Sequence, residues 1–125
     1  MTDEEHQTHR QVHPSWVQAG RITSQTFIPM AKDDGRVSVY DGLQIEPEAS
    51  FNHYTLIQGL TAMGTVSVST AEIDALGLPW VVDGENYPEH ASIDFRHLEN
   101  AKAIKGKAQA LAERARQRGW AYQPS

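Results

Sequence analysis

The stretch Pro88-Glu-His-Ala-Ser-Ile-Asp-Phe95 decides the fold, because apolar and polar side chains alternate along it. Such alternation with a period of two predicts a strand that is buried on one face and polar on the other. The apolar face would carry Ala91, Ile93 and Phe95. The polar face, which we expect to be in contact with solvent, would carry His90, Ser92 and Asp94.

The longest helical pattern of the chain follows this strand directly. It begins near Glu99 or Asn100, ends at Arg118, and has Gly119 as the residue after its end. One apolar stripe runs along it and consists of Leu98, Ala101, Ile104, Ala108, Leu111, Ala112 and Ala115. Because most of these side chains are small, the helix can lie close on a sheet, and we expect strand and helix to form the centre of the core.

The remaining pattern completes an α+β order. Alternation or β-branched and aromatic residues predict further strands at Ile22–Phe27, Val37–Tyr40, Thr65–Ser69 and Pro79–Val82. A first-turn proline, Pro47, opens a mid-chain helix that ends at Gly59, and Ser69-Thr-Ala-Glu72 matches a capping box for a short helix. We predict a single α+β domain, with a mixed or mostly antiparallel sheet of about five short strands packed by the mid-chain and C-terminal helices.

Length and composition limit the class of protein. The chain of 125 residues is long enough for one domain with its own core, and it has no cysteine for disulfides or thiol chemistry. Residues 1–9 are polar without periodicity, so we expect a disordered tail followed by a domain at 10–125. No apolar run approaches the roughly 18 residues of a membrane span. We therefore expect a cytoplasmic protein with no membrane partner.

Charge is distributed unevenly. The segment Leu98–Arg118 has six basic and two acidic residues, which makes it +4 and leaves −9 for the rest of a chain whose net charge is −5. Lys102, Lys105 and Lys107 on this helix are therefore candidates for nucleic-acid binding. Because long basic side chains commonly border a buried stripe and the body is acidic, a nucleic-acid partner is possible but not favoured.

The common catalytic motifs are absent from the sequence: there is no glycine-rich phosphate loop, dinucleotide fingerprint or nucleophile elbow. His90, Ser92 and Asp94 have the composition of a hydrolase triad. Residues two apart on a strand are separated by roughly 6.5–7 Å, however, which is too far for a relay with contacts of about 3 Å. A cysteine-based zinc site is impossible, and a site of histidines and carboxylates stays open, but no two histidines occur four residues apart on a predicted helix. We predict no metal site and no cofactor.

A looser set of residues gives the candidates for catalysis: His13, Tyr40, His53 and Glu89. Histidine is the side chain best suited to proton transfer near neutral pH. An early Arg10 or His13, a middle strand with Ser38 and Tyr40, and a late Glu89 follow the broad order of ADP-ribosyltransferase-like domains. Such a site would hold a nucleotide with the first residue and stabilise a developing cation with the carboxylate. The alternative is that these residues pair or pack locally.

Four segments of the sequence resemble segments of other proteins. They are Arg10-x-x-His13-Pro14, Gly20-Arg21-x-x-Ser24-x-x-Phe27, Leu76-Gly77-Leu78-Pro79 and Pro88-Glu-His-Ala91-x-Ile93-Asp94-Phe95. Together they resemble a group of small bacterial proteins to which we can assign no activity, from about Arg10 to Tyr122. The resemblance implies a bacterial cytoplasmic protein, with a link to defence or toxin–antitoxin systems, and it transfers no catalytic residue.

The first functional prediction is a binding or accessory module that acts through a protein partner. The alternatives are a small enzyme acting on a nucleotide or nucleic acid, and a nucleic-acid-binding module that uses the C-terminal helix. The enzyme requires polar candidates to converge in one pocket, whereas the binding module requires an exposed apolar patch.

Overall fold

A computed structural model describes residues 6–124 of the chain. This part contains seven strands: β1 Gln7–Val12, β2 Val17–Gln18, β3 Arg21–Ile22, β4 Arg36–Asp41, β5 Gly64–Ser69, β6 Trp80–Val81 and β7 His90–Asp94. The α-helices are α1 Pro47–Asn52, α2 Thr70–Ala75 and α3 Ala101–Arg118. A π-helical turn at His53–Ile57 continues α1, and 3-10 turns occupy Pro14–Trp16, Ser24–Phe27 and Ala31–Asp33.

The main sheet has five strands in the order β5-β1-β4-β7-β6, and all neighbouring strands are antiparallel. β2 and β3 form a separate hairpin. With the mid-chain helix and the long C-terminal helix, this confirms the predicted α+β domain. No helix among residues 6–124 is long and apolar enough to span a membrane.

The apolar face of the sheet holds the hydrophobic core. Its strand residues include Val37, Val39, Val66, Val68 and Ile93, all fully or almost fully buried. They share one cluster with four small or aliphatic residues of α3, namely Ala108, Leu111, Ala112 and Ala115. Burial of each large aliphatic side chain contributes about 1.5–3 kcal/mol, so this face provides most of the stabilisation.

The local signals that begin and end helices act as the sequence indicates. Asn100 caps α3 with its side-chain oxygen 2.8 Å from the amide nitrogen of Ala103, and Gly119 follows the helix at a φ of 83°. Ser69 and Glu72 form the predicted reciprocal capping box of α2. These short-range hydrogen bonds depend on a few neighbouring residues, which is why the sequence pattern predicts them well.

Three predictions need correction. The segment Ile22–Phe27 is not a strand of the main sheet, because only Ile22 belongs to a strand, the short β3, and Ser24–Phe27 forms a 3-10 turn that buries Phe27 under α3. The fifth strand is instead β1, which begins at Gln7, so residues 7–9 belong to the domain and not to a disordered tail. Residues 1–5 lie outside the described residues.

The third correction concerns the polar face of the sheet. His90 and Ser92 are 7% and 3% exposed, so the predicted solvent-facing strand surface is wrong. α1 and the π-helical turn lie over this face, and their side chains make hydrogen bonds to it: Gln11 donates to the Ser50 hydroxyl over 2.8 Å. Alternation in a sequence shows which side chains share a face but not whether another element covers that face.

Candidate functional site

A polar cleft opens between the polar face of the sheet and the segments around it. Its cavity volume is about 170 Å³, below the roughly 300–1,000 Å³ of pockets that hold whole drug-sized ligands. It therefore suits a small substrate or one end of a larger one. We call this site the polar cleft, and it is lined by Arg10, Gln11, Met30, Lys32, Asp33, Ser38, Tyr40, Tyr54, Gln58, Leu60, Glu85, Asn86, Tyr87 and His90.

Ser38, His90 and Asp83 are connected in a row by side-chain contacts, and the first two of them line the polar cleft. The Nε2 atom of His90 lies 3.2 Å from the Oγ atom of Ser38. On its other side, the Nδ1 atom of His90 lies 2.5 Å from an oxygen of Asp83. Since an ionised carboxylate only accepts, Nδ1 carries a proton, and in the neutral imidazole Nε2 accepts from the Ser38 hydroxyl. This is the order nucleophile, base and orienting carboxylate.

Strand register and a tight connection bring the three residues together. Tyr40 pairs with His90, and Ser38 pairs with Ser92, so His90 reaches Ser38 diagonally across two strands. The β6–β7 connection returns on itself, because the amide of Gly84 donates to the carbonyl of His90 over 3.0 Å. This turn places Asp83 beside the imidazole although the two residues are seven positions apart.

Asp83 is held in its charged form. Burial by itself would raise its pKa, but hydrogen bonds from His90, Ser92 and the Glu85 amide outweigh that effect and lower the pKa below its ordinary value. The Ser92 hydroxyl donates to the second oxygen of Asp83 over 2.7 Å. Both carboxylate oxygens are therefore fixed, so the carboxylate can orient His90 and stabilise an imidazolium.

A second polar group forms another wall of the polar cleft. The hydroxyl of Tyr40 lies 2.8 Å from Nδ1 of His53, and the amide nitrogen of Gln58 donates to the same hydroxyl over 2.8 Å. The ring of Tyr87 stacks on Tyr40 with centroids 5.2 Å apart. Burial is the main cause that raises the pKa of Tyr40, so this phenol stays protonated near neutral pH. The π-helical turn brings His53 and Gln58 to this position.

The four predicted catalytic candidates do not all meet. Tyr40 and His53 are hydrogen-bonded to each other, and Tyr40 lines the polar cleft with Arg10. His13 lies outside it, lines a neighbouring surface cleft, and pairs with Ser15. Glu89 is not among the lining residues, and the acidic residues that line the cleft are Asp33 and Glu85. The roles proposed for these four residues stay predictions.

The three lysines proposed for nucleic-acid binding lie on the outer part of α3. Lys102 and Lys105 are exposed and Lys107 is half-buried. The basic residues of the last turn form ion pairs: Arg116 contacts Glu113 at 2.9 Å, and Arg118 contacts Glu72 at 2.7 Å. The free positive charge of this helix is therefore smaller than its sequence suggests.

Sequence reasoning missed Ser38 and Asp83 as partners of His90. It tested His90 only against Ser92 and Asp94, whose positions on one strand exclude a relay. A signal for Asp83 is present, because Asp83-Gly84 marks a turn before the strand and returns the chain towards His90. No local pattern marks Ser38, since its approach to His90 depends on the pairing of β4 with β7.

Among residues 6–124, no group of three or more histidines and carboxylates could hold a metal ion. No protein-family model, curated protein or solved structure matches the chain. The geometry of the polar cleft is therefore the basis on which a function can be proposed.

Proposed function

We propose that the protein is a small hydrolase that cleaves an ester bond with Ser38 as the nucleophile. The observation that carries this proposal is the chain from Ser38 Oγ to His90 Nε2, at 3.2 Å, and from His90 Nδ1 to Asp83, at 2.5 Å. A serine hydroxyl is a weak nucleophile by itself and needs an adjacent base that is held in the correct tautomer. Both requirements are met at the floor of a cleft.

The reaction has two halves. Ser38 Oγ attacks the ester carbonyl while its proton moves to His90 Nε2, and the alcohol leaves with that proton as the acyl–serine bond forms. Water then attacks the acyl group, gives its proton to His90, and releases the acid and the free hydroxyl of Ser38. Asp83 stays ionised throughout and stabilises the imidazolium between the two transfers.

Substitution of each member of the chain tests this function. With p-nitrophenyl acetate as the probe, Ser38→Ala and His90→Gln should each lower kcat/KM by about 100-fold or more, since a positioned general base contributes roughly 10²–10⁴-fold. Asp83→Asn should lower it as well, because the amide no longer fixes the imidazole tautomer. Circular dichroism and thermal melting would establish that each variant is folded.

Ser15→Ala is the matched control. Ser15 also bonds to a histidine, with its Oγ 2.8 Å from His13 Nδ1, but this pair is exposed and lies outside the polar cleft. Its kcat/KM should stay within about twofold of the wild type. An esterase rate that survives Ser38→Ala would refute the proposal, as would the absence of any rate in the wild-type protein.

A covalent probe gives a second readout. A fluorophosphonate should form a phosphorus–oxygen bond with Ser38 as fluoride leaves, and the added mass should appear on the peptide that contains Ser38. Labelling should disappear in His90→Gln, because the base that removes the hydroxyl proton is missing. Labelling of another serine instead of Ser38 would also refute the assignment.

A second function, the protein-binding accessory module, is favoured by exposed apolar side chains on the π-helical turn and the residues that follow it. Leu56 and Ile57 are 76% and 74% exposed, and Leu60 is 41% exposed. Solvated apolar side chains in one segment are typical of contact surfaces. The setting proposed for this function is the bacterial cytoplasm, beside a defence or toxin–antitoxin system.

If the protein is an accessory module, affinity capture should recover a protein partner. The wild-type protein and the Ser38→Ala variant should retain that partner equally. The double variant Leu56→Asp with Ile57→Asp should lose that partner while its esterase rate is unchanged. If the double variant retains the partner, this surface is not the contact site.

A further inference from the structure

Arg10 enters the polar cleft through a gap in the sheet. β1 and β4 share only the pairs Thr8–Asp41 and His9–Tyr40, whereas β1 pairs with β5 along its whole length. Beyond His9 the two strands separate, and the side chain of Arg10 occupies the opening. Its strand position opposite Val66 belongs to the apolar face, yet the residue lines the polar cleft on the other side.

Two nitrogens of the guanidinium are fixed by backbone carbonyls. Nε donates to the carbonyl of Thr26 over 2.9 Å, and Nη1 donates to the carbonyl of Ser38 over 2.8 Å. The ring of Trp16 lies 5.1 Å from the guanidinium carbon. The guanidinium is therefore held rigidly, immediately beside the residue that we assign as the nucleophile.

The charge of Arg10 lacks a partner within the described part of the chain. The residue is 7% exposed, but no carboxylate oxygen of residues 6–124 lies within 4.0 Å of it. Its Nη2 donates no hydrogen bond to those residues. Buried charged groups are normally paired, because an isolated charge is costly to remove from water.

The neighbouring charges leave the guanidinium available. Glu85, which also lines the cleft, is 3.7 Å from Arg36 and forms an ion pair with it. Asp33 interacts with Arg10 only through longer-range electrostatics. Lys32 adds a second cation to the lining. The cleft therefore presents a rigid, buried cation with a free donor to whatever enters it.

We infer that Arg10 binds an oxyanion of the substrate, either a carboxylate or a phosphate, through Nη2. This inference rests on the proposed function in one respect: it is that function which identifies the bound molecule as an ester substrate. The substrate class is then a short ester with an anionic group close to the scissile carbonyl, since Arg10 contacts the backbone of the nucleophile. Planar guanidinium groups pair with both kinds of oxyanion through charge-assisted hydrogen bonds.

Binding can be tested without catalysis. Inorganic phosphate and acetate would each be titrated into the Ser38→Ala protein, with the Nε–H signal of Arg10 followed by NMR. Saturable shifts at millimolar phosphate or acetate are the expected result, and the stronger ligand identifies the preferred anion. Lack of a saturable shift with both anions overturns the inference. Because Ser38→Ala is inactive in the proposed reaction, this result is independent of hydrolysis.

Substrate preference gives the second test. The wild-type protein should have a kcat/KM for the mono-p-nitrophenyl ester of succinate about tenfold or more above that for neutral p-nitrophenyl acetate, as expected for a charge-assisted hydrogen bond. Arg10→Lys should raise KM for the anionic ester and reduce this preference to about threefold or less. The reason is that a lysine ammonium lacks the planar fork that donates to two backbone carbonyls and to the substrate anion at the same time. Arg21→Gln, an exposed arginine outside the polar cleft, is the control and should keep the preference.

The outcomes separate the two proposals. Equal losses for both esters in Arg10→Lys would show that Arg10 acts on the transition state or only on the fold, and the anion inference would be wrong. Saturable anion binding in a protein that hydrolyses neither ester would support the anion site and refute the hydrolase. If Arg10→Lys does not fold, the titration of the Ser38→Ala protein still decides the inference.

Discussion

Both faces of the five-stranded sheet are buried, but different interactions hold them. On the apolar face, valine and isoleucine side chains pack against the small residues of α3. On the polar face, Gln11, Tyr40 and His90 are buried and joined by side-chain hydrogen bonds to α1, the π-helical turn and the β6–β7 connection. The same strands supply both faces.

Because of this difference, the two faces have different roles: one stabilises the fold and the other positions polar side chains. Apolar packing has no preferred partner, so the apolar face stabilises the fold without presenting reactive groups. A polar face must satisfy each donor and acceptor, which fixes side chains in defined geometries. Ser38 is half-buried on this second face, where the orienting network and access from the cleft coincide.

The largest effect on stability should come from the apolar face. Phe95 is fully buried, so Phe95→Ala should lower the free energy of unfolding by about 3–5 kcal/mol. Urea denaturation followed by fluorescence would measure the change. Val81→Ala, an exposed residue of β6, is the control and should change it by less than about 0.5 kcal/mol. A similar loss in both variants would contradict the assignment of the core.

A smaller effect is expected from the hydrogen-bond network of the polar face. Gln11 accepts from the Thr65 hydroxyl over 2.5 Å and donates to Ser50 over 2.8 Å. Gln11→Leu should lower the free energy of unfolding by about 2 kcal/mol, because it leaves the buried Thr65 hydroxyl without its acceptor and removes the donor to Ser50, whose hydroxyl still donates to a backbone carbonyl. Thr65→Val combined with Gln11→Leu should recover part of that loss. Strict additivity in this double-mutant cycle would mean that the two side chains do not interact.

A pH-dependent effect is expected at Asp83. Because its folded-state pKa lies below the ordinary value of 3.8, ionised Asp83 stabilises the fold above that pH and loses this contribution as the pH falls through the lower folded value. Asp83→Asn should therefore lower the unfolding free energy by about 1 kcal/mol near neutral pH and by almost nothing below the folded pKa. Parallel denaturation series at both pH values would measure this convergence. A constant difference would contradict the role of its charge.

The smallest effect should come from Ser92. Its hydroxyl donates to Asp83, which keeps the His90 contact and the Glu85 amide contact without it. Ser92→Ala should cost about 0.5–1 kcal/mol, the usual net value of one hydrogen bond. Differential scanning calorimetry would show the corresponding small fall in Tm. A loss as large as that of Phe95→Ala would mean that the polar face, and not the apolar one, provides the main stabilisation.

More of the fold than of the candidate site could be predicted from the sequence. Alternation along 90–95 and the apolar stripe of the last helix identified β7, α3 and their shared core, since both signals have the period of the element that they predict. The segment 22–27 was wrongly predicted as a strand, because β-branched and aromatic residues favour a strand but also occur in a buried turn. The site could not be predicted, because Ser38, Asp83 and His90 come from three separate segments.

The sequence by itself determined the α+β class, the caps of α2 and α3, and which side chains share each face of a strand. These features depend on residues only a few positions apart. Only the tertiary structure decided that the polar face is covered, that His90 meets Ser38 and Asp83, and that Arg10 lies buried in the gap between β1 and β4. Strand pairing and helix placement set those contacts, and both depend on the packing of the whole chain.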